Sequence, residues 1–386
     1  MNKIGWPAWV LLVYMGLVVL TPLLANEKKL IRICEGKWSF PFLASAREYA
    51  EPEVCKDGEL GLAAPVPYSP GSSDTMNMQF CSPFEKQLFS RNGKVVDMPM
   101  RYRHWLGTDM QGSDLLADLL YGSRISLFVS VLAALVSWLL GAVLGFLAAW
   151  FGPGSRKVSL KIILPLLLGG LLLWHVLNNF YNESAFYTAI LFAVLLTVLA
   201  FIVSLNFIHW RWVSGSISIP LDTAFLRIAE LFSAIPRVVL VLALSAVFEP
   251  SIWSVVVVLS LSGWVDMGRL IRAEVSGLKE RSYIEAARLS GYRGFRLFTK
   301  QMLPNIWPSS LVILLYSVAG NMAIEASLSF MGFGLPPQIK TIGSIVADAK
   351  IYYEAWWLVV FPGLWLSLLI FSLFEFSRRY RRLAPD

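Results

Sequence analysis

The sequence predicts an all-α polytopic membrane protein, and three observations carry that expectation: composition, the spacing of apolar runs, and the side on which positive charge accumulates. Of 386 residues, 56% are hydrophobic and only 15% are charged, with a mean hydropathy of +0.60. A water-soluble core cannot absorb that much apolar side chain without exposing large patches, so the bilayer is the solvent for most of the chain. Disordered, collagenous and disulfide-scaffold classes are excluded by the same composition. The net charge of +7 invites a nucleic-acid reading, but in a membrane protein excess Lys and Arg marks cytoplasmic loops.

A membrane helix needs roughly 20 largely apolar residues, and eight such spans are predicted between flanking charges. The first covers residues 6–25, between Lys3 and Glu27, and the second 126–152, with no charge between Arg124 and Arg156. A close pair follows at about 162–178 and 185–208. Spans at about 226–248 and 251–268 hinge at Glu249-Pro250, and the last two lie at about 309–331 and 356–374. The first run is longer than a signal peptide's apolar core of about 7–15 residues and contains Pro22, so it is expected to be a retained helix.

Positive charge in short loops sets orientation. With the N-terminus inside, the inner segments hold Lys3; Arg156, Lys157 and Lys161; Arg211 and Arg227; eight basic residues from Arg269 to Lys300; and Arg378, Arg379, Arg381 and Arg382. The short outer loops hold only Lys340 and Lys350. Both termini are expected to be cytoplasmic. The translocated stretch 27–124 nearly balances, with twelve basic and thirteen acidic residues, so the excess charge lies inside.

The segment 27–104, rich in Pro, Gly and Ser, is expected to be extracytoplasmic. It contains all three cysteines, Cys34, Cys55 and Cys81. An oxidising compartment permits at most one internal disulfide among them, with no preferred pair. Neither cysteine nor histidine spacing suggests a metal site.

Between the sixth and seventh spans the chain reads Tyr283-Ile284-Glu285-Ala286-Ala287-Arg288-Leu289-Ser290-Gly291, then, after ten residues, Met302-Leu303-Pro304-Asn305. Physically this suits a docking element. Small side chains at Ala286 and Ala287 permit close approach, and Gly291 can take the left-handed geometry that ends a short helix. Glu285 offers a carboxylate to a basic partner, and Pro304 is expected to break the following helix. The pattern resembles the EAA loop of the membrane subunits of ABC importers. Gln301 stands where those proteins often carry His.

The stretches His104-Trp105-Leu106-Gly107-Thr108-Asp109 to Asp114, Leu119 to Arg124, Glu325-Ala326-Ser327-Leu328-Ser329-Phe330 to Gly334, Gly343-Ser344 to Asp348, and Trp356-Trp357 with Phe361-Pro362-Gly363 narrow the likeness. Together they resemble the C-type permease of dipeptide, oligopeptide and nickel importers. The likeness covers about 104–153 and 221–382 well, and 1–25 loosely. It implies a type I permease fold with six family helices. The division is then an N-terminal helix (1–26), the outer segment (27–104), the start of the permease core (105–154), an inserted hairpin (155–220), and the rest of the core (221–386) with its coupling loop at about 279–305. A two-helix hairpin leaves and returns on one side, so it preserves the orientation downstream. Gly169-Gly170 within it would allow close helix packing.

The resemblance further implies a second related permease, two ATP-binding subunits docking on Glu285, Ala286, Ala287 and Gly291, and an outer solute-binding protein. No Gly-x-x-x-x-Gly-Lys-Ser/Thr loop occurs in the chain, so nucleotide belongs on another subunit. No cofactor or metal is expected. Di- and oligopeptides are the leading substrate class, with nickel chelates, murein fragments or other small solutes as alternatives, and a non-transport membrane scaffold beyond them. An intramembrane enzyme is disfavoured, because His104, His175 and His209 are dispersed and no Gly-x-Ser-x-Gly elbow is present.

Charges inside a span are costly and mark pathways or buried pairs. Arg237, beside Pro236, is expected either to meet a substrate carboxylate or to pair with Glu230. Glu325 is expected to line the path or bind another helix, the latter favoured. Asp109 and Asp114 are expected to cap backbone N–H groups, and Pro236 to kink its span.

Overall fold

The computed structural model describes residues 5–34, 37–39, 60–91, 94–152, 156–159, 216–219, 221–350 and 352–383. Helix α1 (Trp6–Val19) carries Pro7 in its first turn, where a missing N–H is harmless. Helix α2 (Leu115–Phe151) starts where the Asp114 side chain accepts from the Ala117 N–H at 2.8 Å. It stops at Gly152, whose φ is 69°.

Next come α3 (Leu221–Ala234) and α4 (Arg237–Ser245), bent 83° from one another. The single kinked span predicted over 226–248 is therefore two helices. Pro236 offers no N–H, and its ring disfavours helical geometry at Ile235, so the chain turns instead of bending gently. Helix α5 (Ile252–Lys279) opens with a reciprocal Ser251–Ser254 capping box. Helix α6 (Ser282–Leu289), a π-turn over Phe298–Met302, α7 (Leu303–Met331), α8 (Ile342–Asp348) and α9 (Trp357–Leu383) complete the order.

Among the described residues, four helices are long and apolar enough to cross a membrane: Leu115–Phe151, Ile252–Lys279, Phe298–Met331 and Trp357–Arg381. The bent pair makes a fifth if counted as one span. Helix α1, at 14 residues, is short for a crossing alone and is followed by the helical turn Thr21–Leu24. The predicted spans at 162–178 and 185–208, with Gly169-Gly170, lie outside the described residues.

The helices run past the charges that bounded the predicted spans. Charge marks the edge of the bilayer, whereas a helix ends at a cap. Helix α2 begins at Leu115 rather than near Ser126, and α5 continues to Lys279, whose ammonium donates to the Ala149 carbonyl at 2.8 Å. Pro304 sits in the first turn of α7, the position proline tolerates, and so opens that helix instead of breaking one.

Helices α2 and α5 form the closest pairing. A methyl group added at Gly141 would strike the Trp264 carbonyl, and one at Gly145 would strike the backbone of Gly268. Small residues four apart let the two backbones touch, giving dispersion contact in a solvent that supplies no hydrophobic drive. A second core joins α1, α2, α7 and α9 through Tyr14, Leu127, Met322 and Leu369.

The all-α expectation is corrected to a mostly helical fold with short antiparallel strands. In the outer segment β1 (Lys29–Cys34) lies between β2 (Lys37–Ser39) and β3 (Leu60–Ala63). A separate hairpin pairs β4 (Leu88–Arg91) with β5 (Lys94–Asp97), Arg91 opposite Lys94. The dipeptide between them is Asn92-Gly93, the strongest short hairpin signal. Cys81 is a free thiol, and Cys55 lies outside the described residues. Strands β6 (Arg156–Ser159) and β7 (Ser216–Ile219) pair antiparallel, which holds these two stretches side by side.

Candidate functional site

Helix α6 is amphipathic over two turns. Ile284 and Ala287, three apart on one face, are buried with Ile271, Val275, Met302 and Ile306. Glu285 and Ala286 are exposed, as is Leu289 at 86%. The two alanines thus divide their roles: Ala287 allows α6 to lie close against α5 and α7, while Ala286 faces outward. Gly291 is exposed with φ of 90°, and the Tyr292 N–H returns to the Ala287 carbonyl at 3.0 Å. Nothing lies near the place a Cβ would occupy at Gly291, so the backbone conformation alone requires glycine there. The Asn305 amide donates to the Gln301 carbonyl at 2.7 Å and to the Tyr283 hydroxyl at 3.2 Å, tying α7 to α6. The result is a knob packed on α5 and α7 that presents Glu285, Ala286 and Leu289 outward.

A polar site lies among the spans. Arg237 is partly buried at the start of α4, its Nη2 donating to Asn321 Oδ1 at 2.7 Å and its Nε to Ser262 Oγ at 3.3 Å. Asn321 is fully buried and donates to the Ser130 carbonyl at 3.3 Å. Beside them is a cavity of about 130 Å³, with Arg237, Asp266, Ser137, Trp138 and Tyr316 in its wall. The expected Arg237–Glu230 pairing does not form. Glu230 instead takes Arg227 at 3.0 Å on the exposed face of α3, because the turn at Pro236 carries Arg237 off that helix.

Glu325 is 0% exposed on α7. Its Oε1 accepts from Ser329 at 2.8 Å, and its Oε2 has no hydrogen-bond partner. Helix α8 closes over this region: a methyl at Gly343 would collide with the Ala326 carbonyl, and one at Gly122 would press on Thr341. Glu325 and Arg237 do not meet.

At the start of α2, Asp114 caps the helix and Asp109 accepts from the Gln111 and Ser113 N–H groups at 2.8 Å each. His104 is fully buried, with Nδ1 at 2.9 Å from Asp114 and Nε2 at 3.2 Å from Asp74, and the Tyr68 ring stacks on it. Burial works against its charge, but hydrogen bonds to Asp114 and Asp74 outweigh burial and raise its pKa above the ordinary value. Lys340 bridges Asp109 and Asp348 at 3.1 Å each. Burial opposes its charge too, and the surrounding Asp118, Asp348 and Asp109 still push its pKa upward.

Sequence reasoning missed Asn321, Asp266, Asp74 and the glycines of α2. Gly141 and Gly145 form a Gly-x-x-x-Gly pattern that could have been found. Asn321 and Asp74 reach their partners only through the fold.

Residues 212–382 match the family model described as binding-protein-dependent transport system inner membrane component. The chain is 26% identical over 394 residues to the inner membrane ABC transporter permease protein YejE of Escherichia coli (strain K12), spanning 96% of this chain and 91% of that protein. It is 26% identical over 278 residues to the dipeptide transport system permease protein DppC of Bacillus subtilis (strain 168), covering 72% and 66%. Similarity to the peptidoglycan transport system permease protein YejE of Agrobacterium fabrum is 22% over 399 residues, covering 96% and 87%. At 96% coverage the two YejE alignments extend across residues 27–104 and 155–220.

Proposed function

We propose, from the match of residues 212–382 to the binding-protein-dependent transport inner membrane component family and the alignment with inner membrane ABC transporter permeases, that the chain is the permease part of an ABC transporter and forms half of an import path for di- and oligopeptides. It is a multi-pass inner-membrane protein. In this reading six family spans and two more in the insertion make eight, and both termini are cytoplasmic. A second, related permease completes the path, two ATP-binding subunits dock on Glu285, Ala286, Ala287 and Gly291, and an outer solute-binding protein delivers the substrate.

The observation that carries the reading is the knob at α6. Its inner face is locked to α5 and α7 by Ile284, Ala287 and Asn305. A push on Glu285 and Leu289 therefore moves two long helices as a body, which is how closure of paired ATPases can become rocking of a membrane bundle. Ala287 supports docking from beneath, and Ala286 leaves room for the partner. Arg237 is the path residue best placed to meet a carboxylate, since its wall includes open cavity. Glu325, sealed under α8, holds helices together.

Peptidoglycan fragments are a second reading, favoured by the near full-length alignment with the Agrobacterium permease. Such fragments carry peptide stems, so the same carboxylate chemistry applies.

The test is uptake into proteoliposomes containing the full complex and its binding protein. ATP-dependent accumulation of labelled tripeptide, absent with ADP, is expected. ATP-independent chemical turnover of the peptide would overturn the importer reading, and accumulation of muropeptide without tripeptide would select the second.

A further inference from the structure

A cavity of about 620 Å³ opens between the end of α5, the start of α6, the start of α7 and the end of α9. Its wall brings together Arg281 and Arg381, from elements a hundred residues apart, with the Tyr283 hydroxyl and the Asn305 amide. Both arginines are exposed, and among the described residues neither has an acidic partner. Glu274 is the single acid in the wall. Arg281 is also the residue preceding α6, and no side chain caps that helix. Ser282 and Tyr283 at the start of α6 and the two arginines thus line one space, although a cation at a helix N-terminus is unfavourable by itself. An anion there would relieve both.

The opposite wall is apolar, with Leu278, Pro304, Pro308 and Val312. The cavity lies beside Pro304 and Pro308 near the start of the membrane-length helix Phe298–Met331 and at Arg381, the last residue of the membrane-length helix Trp357–Arg381, where a headgroup would meet such helix ends. We infer that this cavity binds the phosphodiester headgroup of an anionic phospholipid of the inner leaflet. Arg281 and Arg381 take the phosphate, Tyr283 and the α6 N-terminus donate to it, and the apolar wall accommodates the start of an acyl chain. Basic pockets between spans on the cytoplasmic side suit such headgroups. The leaflet assignment rests on the proposed orientation. A lipid held against α6 would also stiffen the element that the proposed ATPase contact moves.

Native mass spectrometry of the full chain, purified in mild detergent with its co-purifying subunits, reads retention of added phosphatidylglycerol against phosphatidylcholine. Preferential retention of phosphatidylglycerol is expected, falling about tenfold in Arg281→Gln/Arg381→Gln. Arg293→Gln/Arg296→Gln, which removes equal charge at residues outside the cavity wall, and Arg281→Lys/Arg381→Lys should keep the preference. Equal retention of both lipids, an equal loss in the Arg293/Arg296 pair, or saturation of the site by inorganic phosphate alone would overturn the inference. So would loss of a co-purifying subunit with lipid retention unchanged, which would make the cavity a protein contact. Retention is measured without transport, so a chain that holds the lipid but does not import peptide sinks the importer reading alone.

Discussion

His104 is buried between two carboxylates, and its charge has a definite effect on stability. Its folded pKa lies above the unfolded value of about 6.5, so the imidazolium's contribution is complete below that pH and is lost as pH rises through the folded pKa. The Asp74 carboxyl is depressed: burial raises it, but hydrogen bonds from His104, Asn77 and the Met76 N–H prevail. Its contribution is lost only as pH falls through that depressed value. The stability of the segment around His104 should therefore fall as pH is raised through the folded His104 pKa. Its thermal midpoint, followed by limited proteolysis, should show that slope, and His104→Asn should flatten it.

Among the spans, Glu325→Ala would strand the Ser329 hydroxyl and leave a cavity, costing about 1–3 kcal/mol, whereas Glu325→Gln keeps size and acceptor. The ratio of folded to aggregated protein after mild heating distinguishes them; equal loss in both would point to the charge itself. Arg237→Ala should assemble normally and reduce peptide uptake severalfold, and unchanged uptake would make Arg237 structural. Charges such as Arg237 and Glu325 were visible in the sequence because apolar runs expose them. Their partners were not, since Asn321 lies 84 residues from Arg237.

Elements were legible where periodicity and caps agree. The apolar runs located α2, α5, α7 and α9, and Asp114 located the cap of α2. Helix ends were displaced because the charges used as boundaries report the bilayer, not hydrogen bonding. The strands of residues 29–97 were missed because β1 is only six residues long and its apolar residues do not alternate, Leu30 and Ile31 being adjacent. The α2–α5 contact depends on absent side chains, which hydropathy does not register. Gly145→Leu should separate these helices, because the new side chain meets the Gly268 backbone. Reduced membrane yield and faster proteolysis within α2–α5 are expected. Normal yield and protease resistance would contradict the close pairing.

At the scale of the whole molecule, the eight basic residues from Arg269 to Lys300 surround the end of α5 and the knob at α6, so the net charge of the chain is concentrated at the proposed cytoplasmic contact. The short helix and its Gly291 end were legible in the Glu-Ala-Ala stretch, yet the inward turn of Ala287 and the Asn305 tie required the fold. The central claim is that α6 transmits ATPase closure to the bundle. It is tested most directly by measuring ATP hydrolysis and peptide uptake together in proteoliposomes carrying Gly291→Trp. Gly291 sits at φ of 90°, so the substitution strains the helix end and crowds the docking face without touching the spans. The account predicts normal insertion with uptake lost, through either absent ATPase subunits or hydrolysis that no longer drives transport. Wild-type uptake per ATP hydrolysed in that variant would contradict it.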